Sequence, residues 1–239
     1  ERRIATSVDR DASSRVASRA YHKLDEIMRT CGLTPPRRSV HLCEAPGGFV
    51  QAVASVAPSD WAWTALTLEG AIEPRWELLP MDRGVFLFDD VLRDLASCMG
   101  QLPDMEADLV TADGACVAIE HARLEEQHAE LLVAQSRLAF HCLKLGGDLV
   151  IKFFEGAARG TRRWIAWMST AFEEVGIVKP TSSRPTNSER YLVARGFLAE
   201  PKALHPDALE APAEWHAEVE WVLDHLASRQ ADALERATA

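Results

Sequence analysis

A lysine at position 152 interrupts an otherwise apolar run, Leu149-Val150-Ile151-Lys152-Phe153-Phe154. Lysine is almost never fully buried unless it is paired, so Lys152 calls for a carboxylate. Asp113, closing the run Val110-Thr111-Ala112-Asp113-Gly114, supplies one if the two runs are adjacent strands. A second lysine nearby would move Lys152 from its ordinary pKa of about 10.4 towards neutrality and make it a base. The alternative is a stem that crosses the core while the amine reaches water.

A second group of residues reads as a binding turn. Leu42-Cys43-Glu44-Ala45-Pro46-Gly47-Gly48-Phe49 is an apolar strand ending in a carboxylate and a Pro-Gly-Gly turn that opens a helix. In open α/β sheets, ligands bind beyond the strand carboxyl ends, and glycine lets backbone approach them closely. Glu69, Asp89 and Asp90 follow the next two strand candidates. Such acids suit a nucleoside, one taking the ribose hydroxyls and another an adenine amino group. An ordinary βα turn with solvated loop acids is the alternative.

Positioning these groups requires a sheet. Apolar runs at 39–43, 61–68, 85–88, 107–112, 148–153, 176–179 and 191–194 predict strands. Amphipathic segments at 14–30, 48–56, 118–145, 162–175 and 214–230 predict helices. Their alternation predicts a doubly wound α/β fold, a mostly parallel seven-stranded sheet with helices on both faces. Leu124, Leu131, Leu138 and Leu145 fall every seven residues, a core-packing face, and Gly146-Gly147 reads as the C-cap of that helix. Residues 1–197 are expected to form one domain, and 198–239 an acidic extension with one helix on a Trp215, Val219, Val222, Leu226 stripe.

The chain carries a net charge of −10 over 239 residues. The charge is uneven: residues 1–40 hold nine basic and five acidic groups, 150–196 eight and four, while 41–149 and 197–239 are acidic. Adjacent in the fold, the two basic segments would form a local positive surface on an acidic body. Five scattered cysteines without a CxxC pair point away from a disulfide framework or zinc site and towards a reducing intracellular compartment, nuclear or cytoplasmic. No apolar run approaches the length of a membrane span. No metal is required by any of these motifs.

Several separated motifs together resemble the FtsJ-type RNA 2′-O-methyltransferase family over about residues 14–197. Ser18-Arg19-Ala20-Tyr21-His22-Lys23-Leu24 is similar to its N-terminal segment, whose lysine is the first catalytic residue. The Pro46-Gly47-Gly48 turn is similar to its methyl-donor loop, Asp113 to its catalytic aspartate and Lys152 to its central lysine. The stretch from Lys179-Pro180-Thr181-Ser182-Ser183-Arg184 to Asn187-Ser188-Glu189-Arg190-Tyr191 is similar to its closing motif, with Glu189 as the last catalytic residue. The resemblance implies a Rossmann-like class I methyltransferase with S-adenosylmethionine as cofactor and a Lys23, Asp113, Lys152, Glu189 tetrad. Together with the acids at the strand ends, this sets the expected cofactor contacts as Glu44, Ala45, Pro46, Gly47, Gly48, Phe49, Glu69, Asp89, Asp90 and Asp113.

Within that family, Leu42-Cys43-Glu44-Ala45-Pro46-Gly47, Thr111-Ala112-Asp113-Gly114 and Arg184-Pro185-Thr186-Asn187-Ser188-Glu189-Arg190-Tyr191 lean towards the messenger-RNA cap enzymes. The implied partner is RNA, capped mRNA favoured, with ribosomal or transfer RNA as the alternative. Arg19, Arg159, Arg162, Arg163, Arg184 and Arg190 are the candidate phosphate contacts. Trp61, Trp63, Trp164 and Trp167 lie in regular elements and are expected in the core. A reading of another class is a catalytically silent RNA- or protein-binding scaffold, for which the acidic C-terminal helix offers a docking element for a protein partner.

Overall fold

The structure is a computed structural model that describes residues 15–115, 124–156, 158–201, 205–209 and 213–238. Its elements run α1 (Ala20–Thr30), β1 (Arg38–Leu42), α2 (Gly48–Ala54), β2 (Ala62–Thr67), β3 (Gly84–Phe88), α3 (Leu95–Gln101) and β4 (Ala107–Ala112). They continue with α4 (Leu124–Cys142), β5 (Leu143–Phe154), α5 (Arg159–Ser169), β6 (Phe172–Val178), β7 (Glu189–Phe197) and α6 (Ala213–Thr238). The seven strands form one sheet in the order β3-β2-β1-β4-β5-β7-β6. All neighbouring pairs are parallel except those of β7, which runs antiparallel to both β5 and β6.

Strand periodicity divides the core into two layers. Leu66, Val110, Leu149, Ile151, Leu192 and Ala194 point to one face, where α4 and α5 contribute Leu132, Leu138, Trp164 and Trp167. Their strand neighbours Ala65, Leu109, Val150, Tyr191 and Val193 point to the other, against Leu24, Ile27 and Met28 of α1 and Phe49, Val50 and Val53 of α2. Successive side chains of a strand take opposite faces, so apolar runs with little alternation are what a sheet covered on both sides requires. Trp61, Trp63, Trp164 and Trp167 are all core residues.

Four expectations shift. The first helix begins at Ala20, and Ser14 lies outside the described residues; so do 116–123, the expected start of the fourth helix. That helix ends at Cys142, so Leu145 is in β5 and 63% exposed instead of completing the leucine face. Gly146-Gly147 is therefore not a helix cap. It makes a register shift in which Ala107 pairs with Leu143 and Leu109 with Asp148, Gly146 taking φ +77 and Gly147 lying against the Ala107 carbonyl. Helix α5 stops at Ser169, and 172–175 are strand: with Phe172 buried and Glu173 and Glu174 exposed, an edge strand and a helix end look alike in sequence. The short α3, capped by Asp94 accepting from the Ser97 amide at 2.8 Å, was not predicted.

The chain after β7 returns to the domain. Leu223 of α6 joins the main core, with Val219 packed beside it. Among the described residues, no helix is long and apolar enough to cross a membrane.

Candidate active site

The site lies where the sheet topology brings strand ends together. Asp113 follows β4 and Lys152 is near the end of β5, the adjacent parallel strand. Because β7 is antiparallel to β5, its first residue, Glu189, pairs with Phe154 and so starts at the edge where β5 finishes. Lys23 is delivered separately, from α1.

These four side chains form two ion pairs. Lys152 Nζ is 3.1 Å from Asp113 Oδ1 and donates to the Asp113 main-chain carbonyl at 2.6 Å. It also lies 5.8 Å from the ring centroid of Phe154, a cation–π distance. Lys23 Nζ is 2.7 Å from Glu189 Oε1, which also accepts from Ser183 Oγ at 3.0 Å. Burial opposes ionisation of Glu189. The ammonium groups of Lys23 and Lys152 and the Ser183 hydroxyl outweigh it, holding the carboxyl below its ordinary value.

Tyr191 ties the pairs together. Its hydroxyl donates to Asp113 Oδ1 at 3.2 Å, and burial followed by the charges of Asp113 and Glu189 keeps the phenol protonated. Tyr191 was not singled out from the sequence, although strand alternation puts it on the same face as Glu189, two residues before it. Lys179 was missed as well. Its ammonium donates to the Asn187 carbonyl at 2.6 Å, Asn187 Oδ1 at 2.9 Å and the Glu189 carbonyl at 3.1 Å. Burial, then the neighbouring Arg190, bring its pKa down to about 8. Lys179 stands just past the end of β6 and before Pro180, so it gave a weaker signal than Lys152, which lies inside its apolar strand.

Both pairs open onto a cavity of about 700 Å³ along the carboxyl edge of the sheet. One end is lined by Arg19, Lys23, Lys152 and Arg184, the middle by Cys43, Ala45, Pro46, Asp113 and Gly114, and the far end by Thr67, Leu68, Asp89, Asp90, Val91 and Leu92. This volume lies within the ordinary range for a cofactor-sized ligand, and the apolar walls with a few convergent carboxylates suit a nucleoside.

The remaining cofactor candidates have other places. Glu44 turns inward, its Oε1 accepting from the Phe49 and Val50 amides at 2.8 and 2.9 Å, and so fastens the turn to the N-terminus of α2. Burial, reinforced by Asp113 and opposed by those amides, raises its pKa to about 8. Gly47, at φ +110, and Gly48 shape the turn: a Cβ at Gly48 would lie 2.3 Å from Ser18 Oγ and 3.0 Å from the Tyr21 amide, so the glycine admits α1. Phe49 packs in the core against Tyr191, and Glu69 is exposed outside the lining. Asp89 is spent largely on α3, accepting from Ser97 Oγ and Gln101 Nε2, each at 2.7 Å. Asp90 is the carboxylate less committed to that scaffold.

The arginines separate similarly. Arg19 and Arg184 edge the cavity, and Arg159 is exposed at the start of α5. Arg190 is 2% exposed and donates to the Glu155 carbonyl, so it is a core residue and not a phosphate contact: its place on β7 turns it beneath the β5 terminus. Arg162 and Arg163 are not open cations. They pair with Glu220 of α6 at 2.5 Å and Asp207 at 3.3 Å.

A doubly wound sheet with a nucleoside-sized crevice at its switch point, and two lysine–carboxylate pairs at the mouth, defines a cofactor-dependent group-transfer enzyme. A family model described as FtsJ-like methyltransferase matches residues 16–197. Ribosomal RNA large subunit methyltransferase E of Granulibacter bethesdensis is 33% identical over 193 residues, covering 75% of each chain. Cap-specific mRNA (nucleoside-2′-O-)-methyltransferase 2 of Danio rerio is 27% identical over 219 residues, 78% of this chain and 29% of that protein. A crystal structure titled a putative ribosomal RNA methyltransferase from Plasmodium falciparum shares the fold, with a TM-score of 0.61 at 19% identity over 77% of this chain and 100% of that one. The chain belongs to the FtsJ-like methyltransferase family and is a methyltransferase.

Proposed function

We propose that the chain is an S-adenosylmethionine-dependent RNA ribose 2′-O-methyltransferase whose preferred acceptor is the cap-proximal nucleotide of mRNA. The observation that carries the reaction is the meeting of Lys152–Asp113 and Lys23–Glu189 at one mouth of the cavity. The cap preference is supported by the Cys43-Glu44-Ala45-Pro46 and Thr111-Ala112-Asp113-Gly114 forms and by the likeness to the cap-specific relative. A structured ribosomal RNA is the second reading, supported by bacterial relatives that match three quarters or more of their own length.

The donor, when bound, supplies an electrophilic sulfonium methyl. Ala45 and Pro46, on the turn that Gly47 and Gly48 shape, are the candidates to hold its amino-acid part, and Asp90 with the apolar Leu68, Val91 and Leu92 its nucleoside. Lys152, in its unprotonated amine form, orients the ribose 2′-hydroxyl for transfer and accepts the hydroxyl proton at Nζ, and Asp113, 3.1 Å away, holds the ammonium that forms. Lys23, fixed by Glu189, stabilises negative charge developing on that oxygen. Arg19 and Arg184 at the rim, and Arg159 beyond it, are proposed phosphate contacts.

The test is transfer of labelled methyl to matched capped and uncapped transcripts, with Lys152→Ala as control. Label on capped RNA alone supports the cap reading, and label on both moves the assignment to structured RNA. Absence of both transfer and donor binding favours the scaffold.

A further inference from the structure

Glu189 is held inside a closed ring of contacts, and the anchor of that ring is a residue outside the tetrad. Glu26 lies on α1 three residues after Lys23, so the two share a face of the helix. Its Oε1 accepts from the Thr181 amide at 2.7 Å and the Thr181 hydroxyl at 2.9 Å, while Oε2 accepts from the Ser182 amide at 2.9 Å. Three donors, two of them main-chain, meet one carboxylate 155 residues away in the chain. The turn they secure is closed by the Ser183 amide donating to the Pro180 carbonyl at 3.1 Å. Ser183 Oγ then donates to Glu189, Glu189 pairs with Lys23, and Lys23 returns the path to α1.

We propose that Glu26 is a positioning residue for methyl transfer: through the 180–183 turn and Ser183 it sets the Glu189 carboxylate against Lys23. The proposal rests on the methyltransferase reading of the tetrad. Chemistry explains why a carboxylate stands there. The Thr181 and Ser182 groups bonded to Glu26 act as donors, and a carboxylate accepts from them without presenting a donor of its own. An amide would keep the Thr181 contacts and turn an NH₂ against the Ser182 amide. Burial disfavours the charged form of Glu26, but the bonds from Thr181 and Ser182 more than offset this and hold its pKa below the ordinary value. The helix does not depend on Glu26 for its place, because Leu24, Ile27 and Met28 bury α1 against the sheet. Nor is the segment loose at its far end, where Lys179 ties Asn187 and Glu189 together. Arg19 adds a longer contact to the Ser182 carbonyl, at 3.4 Å, so Glu26 is the main anchor of one adjustable element, the turn.

The experiment is a double-mutant cycle on the intact protein. Methyl-transfer kcat and donor KM are measured for wild type, Glu26→Ala, Glu26→Gln, Glu189→Gln and Glu26→Ala/Glu189→Gln. Amide exchange at Thr181 and Ser182 is followed in parallel. Glu26→Ala is expected to lower kcat about 10- to 100-fold, the range for a slightly misplaced catalytic group, with donor KM within about twofold. Glu26→Gln should fall between it and wild type. In the Glu189→Gln background, Glu26→Ala should cost almost nothing more, because both changes break the same path. Losses that multiply in the double variant, or a kcat for Glu26→Ala within twofold of wild type, overturn the proposal. A wild-type protein that methylates neither capped nor uncapped RNA overturns the reading of the tetrad instead, and the catalytic proposal with it. Amide exchange separates that failure from a failure of the contact itself: unchanged protection at Thr181 and Ser182 in Glu26→Ala means that Glu26 does not hold the turn.

Discussion

At the scale of single residues, the site is built from charges whose partners come from other segments of the chain. Lys152 is kept in a nearly buried position by a carboxylate and a carbonyl of the same residue, Asp113. Lys152→Met should therefore reduce methyl transfer by about a thousandfold, within the usual range for a group that handles a proton, while calorimetry still finds the donor bound. Glu44 gives a different signature. Its folded pKa of about 8 lies above the ordinary carboxyl value of 4.5, so the folded protein binds a proton that the unfolded chain does not. The stability from that proton is complete below about pH 4.5 and is lost as pH rises through about 8. Glu44→Gln keeps a carbonyl acceptor for the Phe49 and Val50 amides and removes the titration. The melting temperature of wild type should fall relative to this variant between about pH 5 and about pH 9; parallel curves would show Glu44 to be ionised throughout.

At the scale of elements, α1 and α2 are one device. Gly48 opens α2 where Ser18 and Tyr21 press on it, so the Pro46-Gly47-Gly48 turn and the helix carrying Lys23 are set by a single close approach. Gly48→Ala should push α1 outward, costing about 1–3 kcal/mol by overpacking. Methyl transfer should fall by about tenfold or more, because Lys23 moves with the helix. Calorimetry beside single-turnover kinetics checks both, and a stable, fully active variant would show that α1 adjusts freely. The antiparallel direction of β7 matters equally. A parallel strand there would place Glu189 at the opposite edge of the sheet, away from Lys152.

At the scale of the whole molecule, charge is arranged rather than merely summed. The chain is acidic overall, yet Arg19, Lys23, Lys152 and Arg184 edge one opening. On α5, Arg162 and Arg163 are neutralised by Glu220 and Asp207 from the C-terminal region. Exposed pairs of this kind are weak, so a polyanion can compete for them. The double variant Asp207→Asn/Glu220→Gln should bind RNA more tightly, and the plot of log affinity against log salt should steepen by about one to two units as phosphate contacts are added. Fluorescence anisotropy across a salt series measures both. An unchanged slope would place α5 outside the RNA path.

What the sequence by itself determined is the set of strands, the doubly wound class, and the pairing of Lys152 with Asp113. These rest on local rules: apolar runs report strands buried on both faces, and a lysine inside such a run demands a partner. Lys23 and Glu189 came from motif resemblance, since nothing local links residues so far apart. Tertiary structure alone decided which groups face the cavity. Glu44 turned to the α2 amides, Arg190 went beneath the β5 end, Arg162 and Arg163 met acids of the C-terminal region, and Glu26 reached Thr181 and Ser182. The physical reason is common to all five residues. A carboxylate or guanidinium in a sequence has no direction until another segment supplies the donors and acceptors that satisfy it, and those segments meet only when the sheet closes.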